Sequence, residues 1–157
     1  GYQWLPMPGK ILIQCVLLFI TERISLMLGW KNIMKNRLTL SPLRHTWILD
    51  FDGTLVIHNG YKTGDDTWLP GALDFLKSIP EDDLVIILTA REKTAREKTE
   101  KFLEEWNVKY DKIIFEVPMG ERVLINDTKP SGLKCAYSVN PARNEGPNLE
   151  IFIDRNL

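Results

Sequence analysis

The sequence predicts an α/β protein with a Rossmann-like three-layer fold built on a mostly parallel five-stranded sheet. Short apolar runs rich in β-branched residues alternate along the chain with longer segments whose apolar residues recur at helical spacing. This alternation is typical of parallel strands joined by right-handed helical crossovers. A length of 157 residues suits one domain with a sizeable core, and 44% apolar and 26% charged residues are ordinary for a globular protein.

Five short apolar runs are the predicted strands, because each is shorter than an ordinary helix. They lie at residues 47–49, 84–88, 113–115, 123–125 and 135–139. The tail, residues 150–157, predicts a further edge strand through Ile151 and Ile153.

Two helices are predicted between these strands. The first begins at a Pro-Gly pair, residues 70–71, and ends at Pro80. The second covers about residues 92–106, with a charged face exposed to solvent. The apolar face of the second helix is formed by Ala95, Phe102, Leu103 and Trp106.

A small hairpin is predicted directly after the first strand. Asn59 and Gly60 stand between two arms that contain apolar residues, which is a strong signal for a tight β-turn. Such a hairpin would overhang the strand end as a flap. His58 and Lys62 near its tip are candidates for substrate contact, although solvated turn residues are the simpler interpretation.

The first 33 residues are predicted to be an apolar helical extension, and residues 34–157 the main domain. The apolar run at residues 11–20 is too short to span a bilayer, which needs about 20 residues, so no transmembrane span is predicted. Helices of this kind must be covered, and we expect packing on the domain or in a homo-oligomer interface, with a membrane surface as the alternative. Residues 35–44 are polar and basic and predict a connector.

Charge and cysteine content limit the partners and the compartment. A net charge of −1 argues against extensive nucleic-acid binding, which usually requires a basic excess. Cys15 and Cys135 lack the short spacing of metal ligands. Two reduced thiols in a cytoplasmic protein are therefore expected in preference to a disulfide.

Two carboxylates end the first strand. Asp50 and Asp52 are two positions apart, so on an extended chain they project to the same side. They would lie at the carboxyl end of a strand, which is the usual ligand site of an open α/β sheet. Adjacent acids repel each other unless a cation or a proton separates them, so the pair indicates a functional site.

Polar residues also follow two other predicted strands. Thr89 and Arg91 come after the second strand, and Asn126 and Asp127 after the fourth. Carboxylates from two strand ends form a hard-oxygen site that suits Mg²⁺, and a hydroxyl at a helix start suits a phosphate. Together these groups point to phosphoryl transfer.

These motifs resemble those of the haloacid dehalogenase superfamily in its aspartate-nucleophile phosphatase form. The sequence DFDGTL at residues 50–55 is similar to the first motif of that family, LTAR at residues 88–91 to the second, and LIND at residues 124–127 to the acidic fourth. The stretch GERVLINDTKP at residues 120–130, with NEG at residues 144–146, further resembles a small bacterial group of the superfamily. The resemblance covers residues 46–145, and no segment between the second and fourth motifs is long enough for an inserted cap domain.

The resemblance implies a role for each matching residue. Asp50 would be the nucleophile that forms an aspartyl-phosphate. Asp52 would protonate the leaving alcohol and then deprotonate the attacking water, because a neighbouring charge and partial burial would help it hold a proton. Thr89 would donate a hydrogen bond to the phosphoryl oxygens. Further substrate contacts are expected from Gly53, Thr54, Ala90, Arg91 and Arg122.

Three assignments stay open in the sequence. The Mg²⁺ ligands would be Asp50, the backbone carbonyl of Asp52, and either Asp127 or Asn126. The basic residue of the third motif would be Lys129, ahead of Arg122 and Lys112. Arg91 has two interpretations, substrate contact or pairing with a carboxylate.

The expected function is Mg²⁺-dependent hydrolysis of a phosphomonoester, with a small phosphorylated molecule as substrate. A phosphosugar is a suggestion by analogy alone. A phosphotransferase would use the same residues. A non-catalytic module that binds a phosphorylated ligand or a partner protein is the alternative from another class. Without a cap the site would be open, so a large substrate or a second subunit would cover it.

Overall fold

Three parallel strands form the sheet that carries the predicted acidic pair. The computed structural model describes residues 36–157, and the predictions for residues 1–33 lie outside that range. The strands are β2 (Thr46–Asp50), β3 (Leu84–Leu88) and β4 (Lys112–Ile114), in the order β2-β3-β4. The register pairs Asp50 with Leu88 and Leu88 with Ile114, so the carboxyl ends of the three strands meet at one edge.

Two helices connect these strands, as predicted. Helix α1 covers Ala72–Ser78 and lies between β2 and β3. A 3-10 turn at Lys93–Ala95 leads into helix α2, Arg96–Glu105, between β3 and β4. On α2 the buried residues are Thr99 and Leu103, whereas Trp106, predicted on the apolar face, is 46% exposed beyond the helix end.

The core lies on one face of this sheet. Side chains alternate in direction along a strand, so Val85 and Ile87 are buried on the same face of β3. They pack in one cluster with residues of α1, α2 and the loop after β2, among them Leu76, Leu103 and Phe51. This cluster fixes the position of β2 and therefore of the loop that follows it.

The opposite face of the sheet is exposed. Ile48 on β2 and Ile114 on β4 are 51% and 47% exposed. Parallel sheets are normally covered on both faces. In the described residues both helices pack with the core face, so the predicted third layer is not found in that part of the chain.

The predicted five-stranded sheet is not confirmed. The described residues form a three-stranded sheet and a separate two-stranded one, in which β1 (Asn36–Leu40) pairs in parallel with β5 (Leu149–Ile153). The predicted tail strand is thus confirmed, but its partner comes from the segment predicted to be a connector. The apolar Leu38 and Leu40 alternate with polar residues and are buried, which explains why this basic segment forms a strand.

The predicted fourth and fifth strands are absent. Residues 116–148 contain no helix and no strand, and Val123, Leu124 and Ile125 are 82%, 60% and 91% exposed. A run of three apolar residues forms a strand only when a neighbouring strand satisfies its backbone groups, and among residues 36–157 the only strand paired with β2 is β3. Cys135, in the predicted fifth strand, is half-buried and carries no disulfide, while Cys15 lies outside the described residues.

The segment after β2 is a wider loop than the predicted hairpin. Asn59 adopts a left-handed conformation, and Gly60–Lys62 forms a 3-10 turn. The arms are held further back, where the Ile57 backbone N–H donates to Thr67 and the Leu69 N–H donates to Leu55. The flap therefore exists as a loop closed near residues 55–57 and 67–69. Between β2 and β3 the chain contains this loop and α1, with no inserted domain.

No helix among residues 36–157 is both long enough and apolar enough to cross a membrane.

Candidate active site

Asp50 occupies the carboxyl end of β2 and is open to solvent. Its side chain is 46% exposed. Thr54, four residues later, donates a hydrogen bond from its hydroxyl to Asp50 Oδ2 at 3.0 Å. The tight turn between them is closed by backbone N–H groups of residues 54–56, which donate to the Phe51 carbonyl. One carboxylate oxygen of Asp50 is thus oriented by Thr54, while Oδ1 faces other partners.

The pKa of Asp50 lies above its ordinary value. Burial disfavours the charged form and is the largest cause, and the nearby charge of Asp52 acts in the same direction. The hydrogen bond from Thr54 and the charge of Arg122 oppose the shift without cancelling it. Any group that binds here and carries positive charge would therefore favour the ionised form of Asp50.

Asp52 is held by Arg91 in a two-pronged ion pair. Arg91 Nε donates to Asp52 Oδ2 at 2.8 Å, and Nη2 donates to Oδ1 at 2.8 Å. This bidentate arrangement is the strongest geometry for a guanidinium and a carboxylate. In this structure both oxygens of Asp52 are engaged, so Asp52 and Asp50 have different environments although they are two residues apart.

Arg91 is a buried hub of this site and is 2% exposed. It also binds Asp66, with Nη1 and Nη2 at 2.7 and 2.6 Å from the two carboxylate oxygens, and it donates to the Thr99 hydroxyl at 2.9 Å. The guanidinium lies 4.7 Å from the Phe51 ring centroid and 4.0 Å from that of Tyr61. Of the two interpretations of Arg91, the structure shows the carboxylate pairing.

Two carboxylates raise the pKa of Arg91 above its ordinary value. Burial would lower it, but the hydrogen bonds and charges of Asp66 and Asp52 outweigh that effect. The Asp66 side chain is fully buried, and Arg91 neutralises it there. Arg91 therefore stays charged and joins the loop after β2 to the end of β3.

Thr89 supports Asp52. It is 1% exposed, and its hydroxyl donates to Asp52 Oδ2 at 3.1 Å while accepting from the Arg91 backbone N–H at 3.1 Å. The predicted contact with a phosphoryl group would require this hydroxyl to leave Asp52. Ala90, beside it, is exposed at the same strand end.

Gly53 permits the sharp turn between Asp52 and Thr54. Its φ of +90° is strained for a residue with a side chain, and an added Cβ would lie 3.2 Å from Cγ of Arg143. The predicted substrate contact of Gly53 would therefore come from its backbone.

Arg122 is the predicted basic residue nearest to Asp50. Its Nη2 atom lies 3.9 Å from Asp50 Oδ1, and Nη1 donates to the carbonyl groups of Pro118 and Gly120. Lys129, preferred in the sequence, pairs with Asp127 at 3.5 Å instead. Lys112 begins β4, at the opposite end of the strand from the site. Of the three candidates, the structure thus brings Arg122 to Asp50.

The fourth-motif residues are not brought to the acidic pair. Asp127 is 66% exposed, and Asn126 donates to the carbonyl of Cys135. Among residues 36–157, no cluster of three or more His, Cys, Asp or Glu side chains could hold a metal ion. The oxygens of Asp50 and Asp52 suit Mg²⁺ by their chemistry, but in this arrangement they lack the predicted third ligand.

Three contributors to the site were not predicted. Asp66 and Thr99 anchor Arg91, and Asn144 contacts the loop after β2: its backbone N–H donates to the Gly53 carbonyl, and its Oδ1 accepts from the His58 N–H. Asp66 follows the residues of the predicted hairpin and carried no pattern of its own in the sequence. Lys62 is exposed, which agrees with a solvated turn residue. His58 does not agree with it, because the residue is half-buried: its Nε2 atom contacts Asn59, and its Nδ1 atom is buried.

Comparison with known proteins adds little to this description. No protein-family model and no curated protein matches the sequence. A chain in "Structure of Pnkp1/Rnl/Hen1 complex" is similar at 30% identity and a TM-score of 0.41, over 52% of this chain and 31% of that one. A chain in "Structure of the Pnkp1/Rnl/Hen1 RNA repair complex" is similar at 31% identity and 0.41, over 51% and 28%. This chain thus matches less than a third of those chains, and the low TM-scores establish no shared fold.

Proposed function

We propose that this protein is a Mg²⁺-dependent phosphomonoesterase of the haloacid dehalogenase type, with Asp50 as the nucleophile. The observation that carries the proposal is the contrast between two neighbouring acids. Asp50 is exposed at a strand end, oriented by Thr54, while Asp52 is held back by Arg91. A nucleophile must reach the phosphorus atom, and a proton carrier must stand beside it.

The reaction has two steps on these residues. Asp50 Oδ1 attacks phosphorus, the phosphorus–oxygen bond to the alcohol breaks, and the leaving oxygen takes a proton from Asp52. A water molecule then gives its proton to Asp52 and attacks the aspartyl-phosphate, which releases inorganic phosphate and restores Asp50. Asp52 must leave the Arg91 fork to hold a proton, so the proposal includes rotation of the Asp52 side chain when substrate enters. Arg91 then stays paired with Asp66.

Arg122 fills the third-motif role in this proposal. At 3.9 Å from Asp50 Oδ1 it is close enough to bind a phosphoryl oxygen beside the nucleophile. Its charge also opposes the effect of burial on Asp50. The open site and the lack of an inserted domain suit a small phosphorylated molecule or an exposed phosphate on a larger one, and a phosphosugar is one class to test.

The metal is part of the proposal. Mg²⁺, when bound, would neutralise charge on the phosphoryl group and keep Asp50 ionised. Asp50, the Asp52 carbonyl and Asp127 or Asn126 would hold it, which requires residues 126–127 to move toward the end of β2. Hydrogen exchange tests this directly: with Mg²⁺ and inorganic phosphate, the amides of residues 123–127 should exchange more slowly, while those of residues 85–87 should not change. Equal exchange with and without the two ions would argue against the metal site.

A non-catalytic phospholigand-binding module is the second candidate. It is favoured by the position of Asp127, away from the acidic pair, and by the engagement of both Asp52 oxygens. A phosphotransferase would share every residue of the first proposal and would be distinguished by transfer of phosphate to an added alcohol.

Phosphate release from an aryl phosphate with Mg²⁺ separates these candidates. The Asp50→Asn variant should lose activity by about a thousandfold or more, because it lacks the nucleophile. Asp74→Asn is a matched control, since Asp74 is exposed on α1. A screen of sugar phosphates and other phosphomonoesters with the wild-type protein would then identify the substrate class. Equal rates for wild type and Asp50→Asn on every ester would overturn the enzymatic proposal.

A further inference from the structure

We propose that Asn144 is a positioning residue that fixes the loop carrying Asp52, Gly53 and Thr54. This inference rests on the proposed function for its role in catalysis, but the contacts stand independently of it. Asn144 lies in residues 116–148, the segment without helices or strands. It is nevertheless tied to the acidic loop at two points.

The first point of attachment is the backbone. The Asn144 N–H donates to the carbonyl of Gly53 at 2.8 Å. Gly53 itself is in a left-handed conformation, and its N–H donates to the Val56 carbonyl at 2.7 Å. Asn144 therefore holds the backbone of Gly53, the residue between Asp52 and Thr54. The side chains of Asp52 and Thr54 both belong to the site.

The second point is the side chain. Asn144 Oδ1 accepts a hydrogen bond from the backbone N–H of His58 at 2.8 Å, across 86 positions of sequence. Asn144 thus bonds to the main chain on both sides of residues 54–57, at Gly53 and at His58. A main chain held at two points cannot tilt without breaking one of these bonds, and small displacements of reacting groups are costly in catalysis.

The conformation of the segment is adapted to this contact. Asn144 has a φ of +64°, which asparagine tolerates better than most residues. Two residues later, Gly146 has a φ of +77°, and a Cβ there would clash with the Pro70 carbonyl oxygen. Gly146 and Pro147 are buried. The turn is therefore packed against the segment before α1, and β5 begins just beyond it, at Leu149.

Two substitutions separate the side-chain bond from the backbone bond. Asn144→Gly keeps the left-handed conformation and the N–H to Gly53 but removes the acceptor for His58. Asn144→Asp keeps an acceptor oxygen and tolerates the same conformation. We expect the His58 amide to exchange at least about tenfold faster in Asn144→Gly and to return toward the wild-type rate in Asn144→Asp.

Catalysis supplies the second readout. With an aryl phosphate and Mg²⁺, Asn144→Gly should lower kcat by about tenfold with little change in KM, because the loop is misplaced rather than the substrate site removed. Asn144→Asp should restore most of kcat. Both kcat values are measured at a temperature where both variants are folded. If Asn144→Gly only lowered the melting temperature, the two variants would then have equal kcat values.

The outcomes are distinguishable. An unchanged His58 exchange rate in Asn144→Gly would overturn the proposal, whatever the activity. Faster exchange with an unchanged kcat would overturn its positioning role. If the wild-type protein hydrolyses no phosphomonoester, the proposed function fails, and the exchange rates alone decide whether Asn144 fixes the loop.

Discussion

Two regions that both supply predicted site residues have very different structures. Residues 46–115 contain the three-stranded sheet and both helices, and Val85 and Ile87 are 1% and 0% exposed. Residues 116–148 contain neither helix nor strand, and Val123 and Ile125 are 82% and 91% exposed. Both regions carry short apolar runs followed by polar residues. The difference lies in whether a paired neighbour and a covering helix are present.

This difference separates the site residues that lie beside the core from those in the exposed segment. Asp50, Asp52 and Arg91 belong to the packed region. Arg122 and Asp127 belong to the exposed region, where only Arg122 comes near Asp50. A buried ion pair is costly to break, whereas an exposed one contributes little, and this contrast ranks the following expectations.

The largest effect on the free energy of unfolding is expected from a substitution of Arg91. Arg91→Ala would leave Asp66 as a buried, unpaired carboxylate, and we expect a loss of about 3–5 kcal/mol in the free energy of unfolding. Arg122→Ala, in the exposed region, should change it by less than about 0.5 kcal/mol. Urea denaturation of both variants measures the difference. A loss below about 1 kcal/mol for Arg91→Ala would show that the ion pairs of Arg91 do not stabilise the fold.

The next effect concerns the amino-terminal edge of the same sheet. Asp83 is buried and accepts hydrogen bonds from the His45 N–H at 2.8 Å and from Trp47 Nε1 at 2.9 Å. Burial raises its pKa, but these hydrogen bonds and the His45 ring together lower it below the ordinary 3.8. Asp83→Asn should cost about 2–3 kcal/mol at pH 7.

The pH dependence of that cost follows from the direction of the shift. A carboxyl whose pKa is depressed in the folded state stabilises the fold above the unfolded pKa, and this contribution is lost as the pH falls through the folded pKa. Urea midpoints of wild type and Asp83→Asn should therefore differ more at pH 7 than at pH 3. A difference between the two urea midpoints that grew toward low pH would contradict the lowered pKa of Asp83.

A matched pair of truncations compares the two regions directly. Val85→Ala removes methyl groups from the core and should cost about 2 kcal/mol. Ile125→Ala removes a larger group from an exposed position and should cost less than about 0.5 kcal/mol. Thermal unfolding of the two variants in the absence of Mg²⁺ gives the comparison. Equal losses would mean that residues 123–125 are packed in solution.

The smallest effect on stability is expected from a substitution of Asp50. Because its pKa is raised, the ionised carboxylate opposes folding at pH 7, and this cost disappears as the pH falls below the unfolded pKa. Asp50→Asn should thus raise the melting temperature at pH 7, by about 1 °C since the side chain is nearly half exposed, and less at pH 3.5. A lower melting temperature at pH 7 would contradict the direction of the pKa shift.

Local patterns were predictable from the sequence, and distant pairings were not. The positions of β2, β3 and both helices follow from apolar spacing. The hydrogen bond between Thr54 and Asp50 was not predicted, since Thr54 was expected to contact substrate. The β1–β5 pairing joins segments more than a hundred residues apart, and apolar spacing alone does not show that these two segments pair. The failure at residues 123–125 has the same cause, since a strand needs a partner that its own residues do not specify.

The site follows the same rule. The acidic pair and the second motif were identified because their chemistry is local, and Arg91 was already expected to bind either substrate or a carboxylate. Asp66 was missed, since a single polar residue in a loop carries no periodic pattern. Asn144 was noted as part of the NEG resemblance, but without a role in the site. Their roles depend on contacts with Arg91 and His58 that only the folded chain brings together.

The central claim is that Asp50 accepts the phosphoryl group. Rapid acid quenching during turnover of an aryl phosphate with Mg²⁺, followed by borohydride reduction and peptide mass spectrometry, tests it, because an aspartyl-phosphate is reduced to homoserine. We predict homoserine at position 50 and unmodified aspartate at position 52, with no homoserine in the absence of substrate. Phosphate release without homoserine at position 50, or homoserine at another position, would contradict the assignment of Asp50.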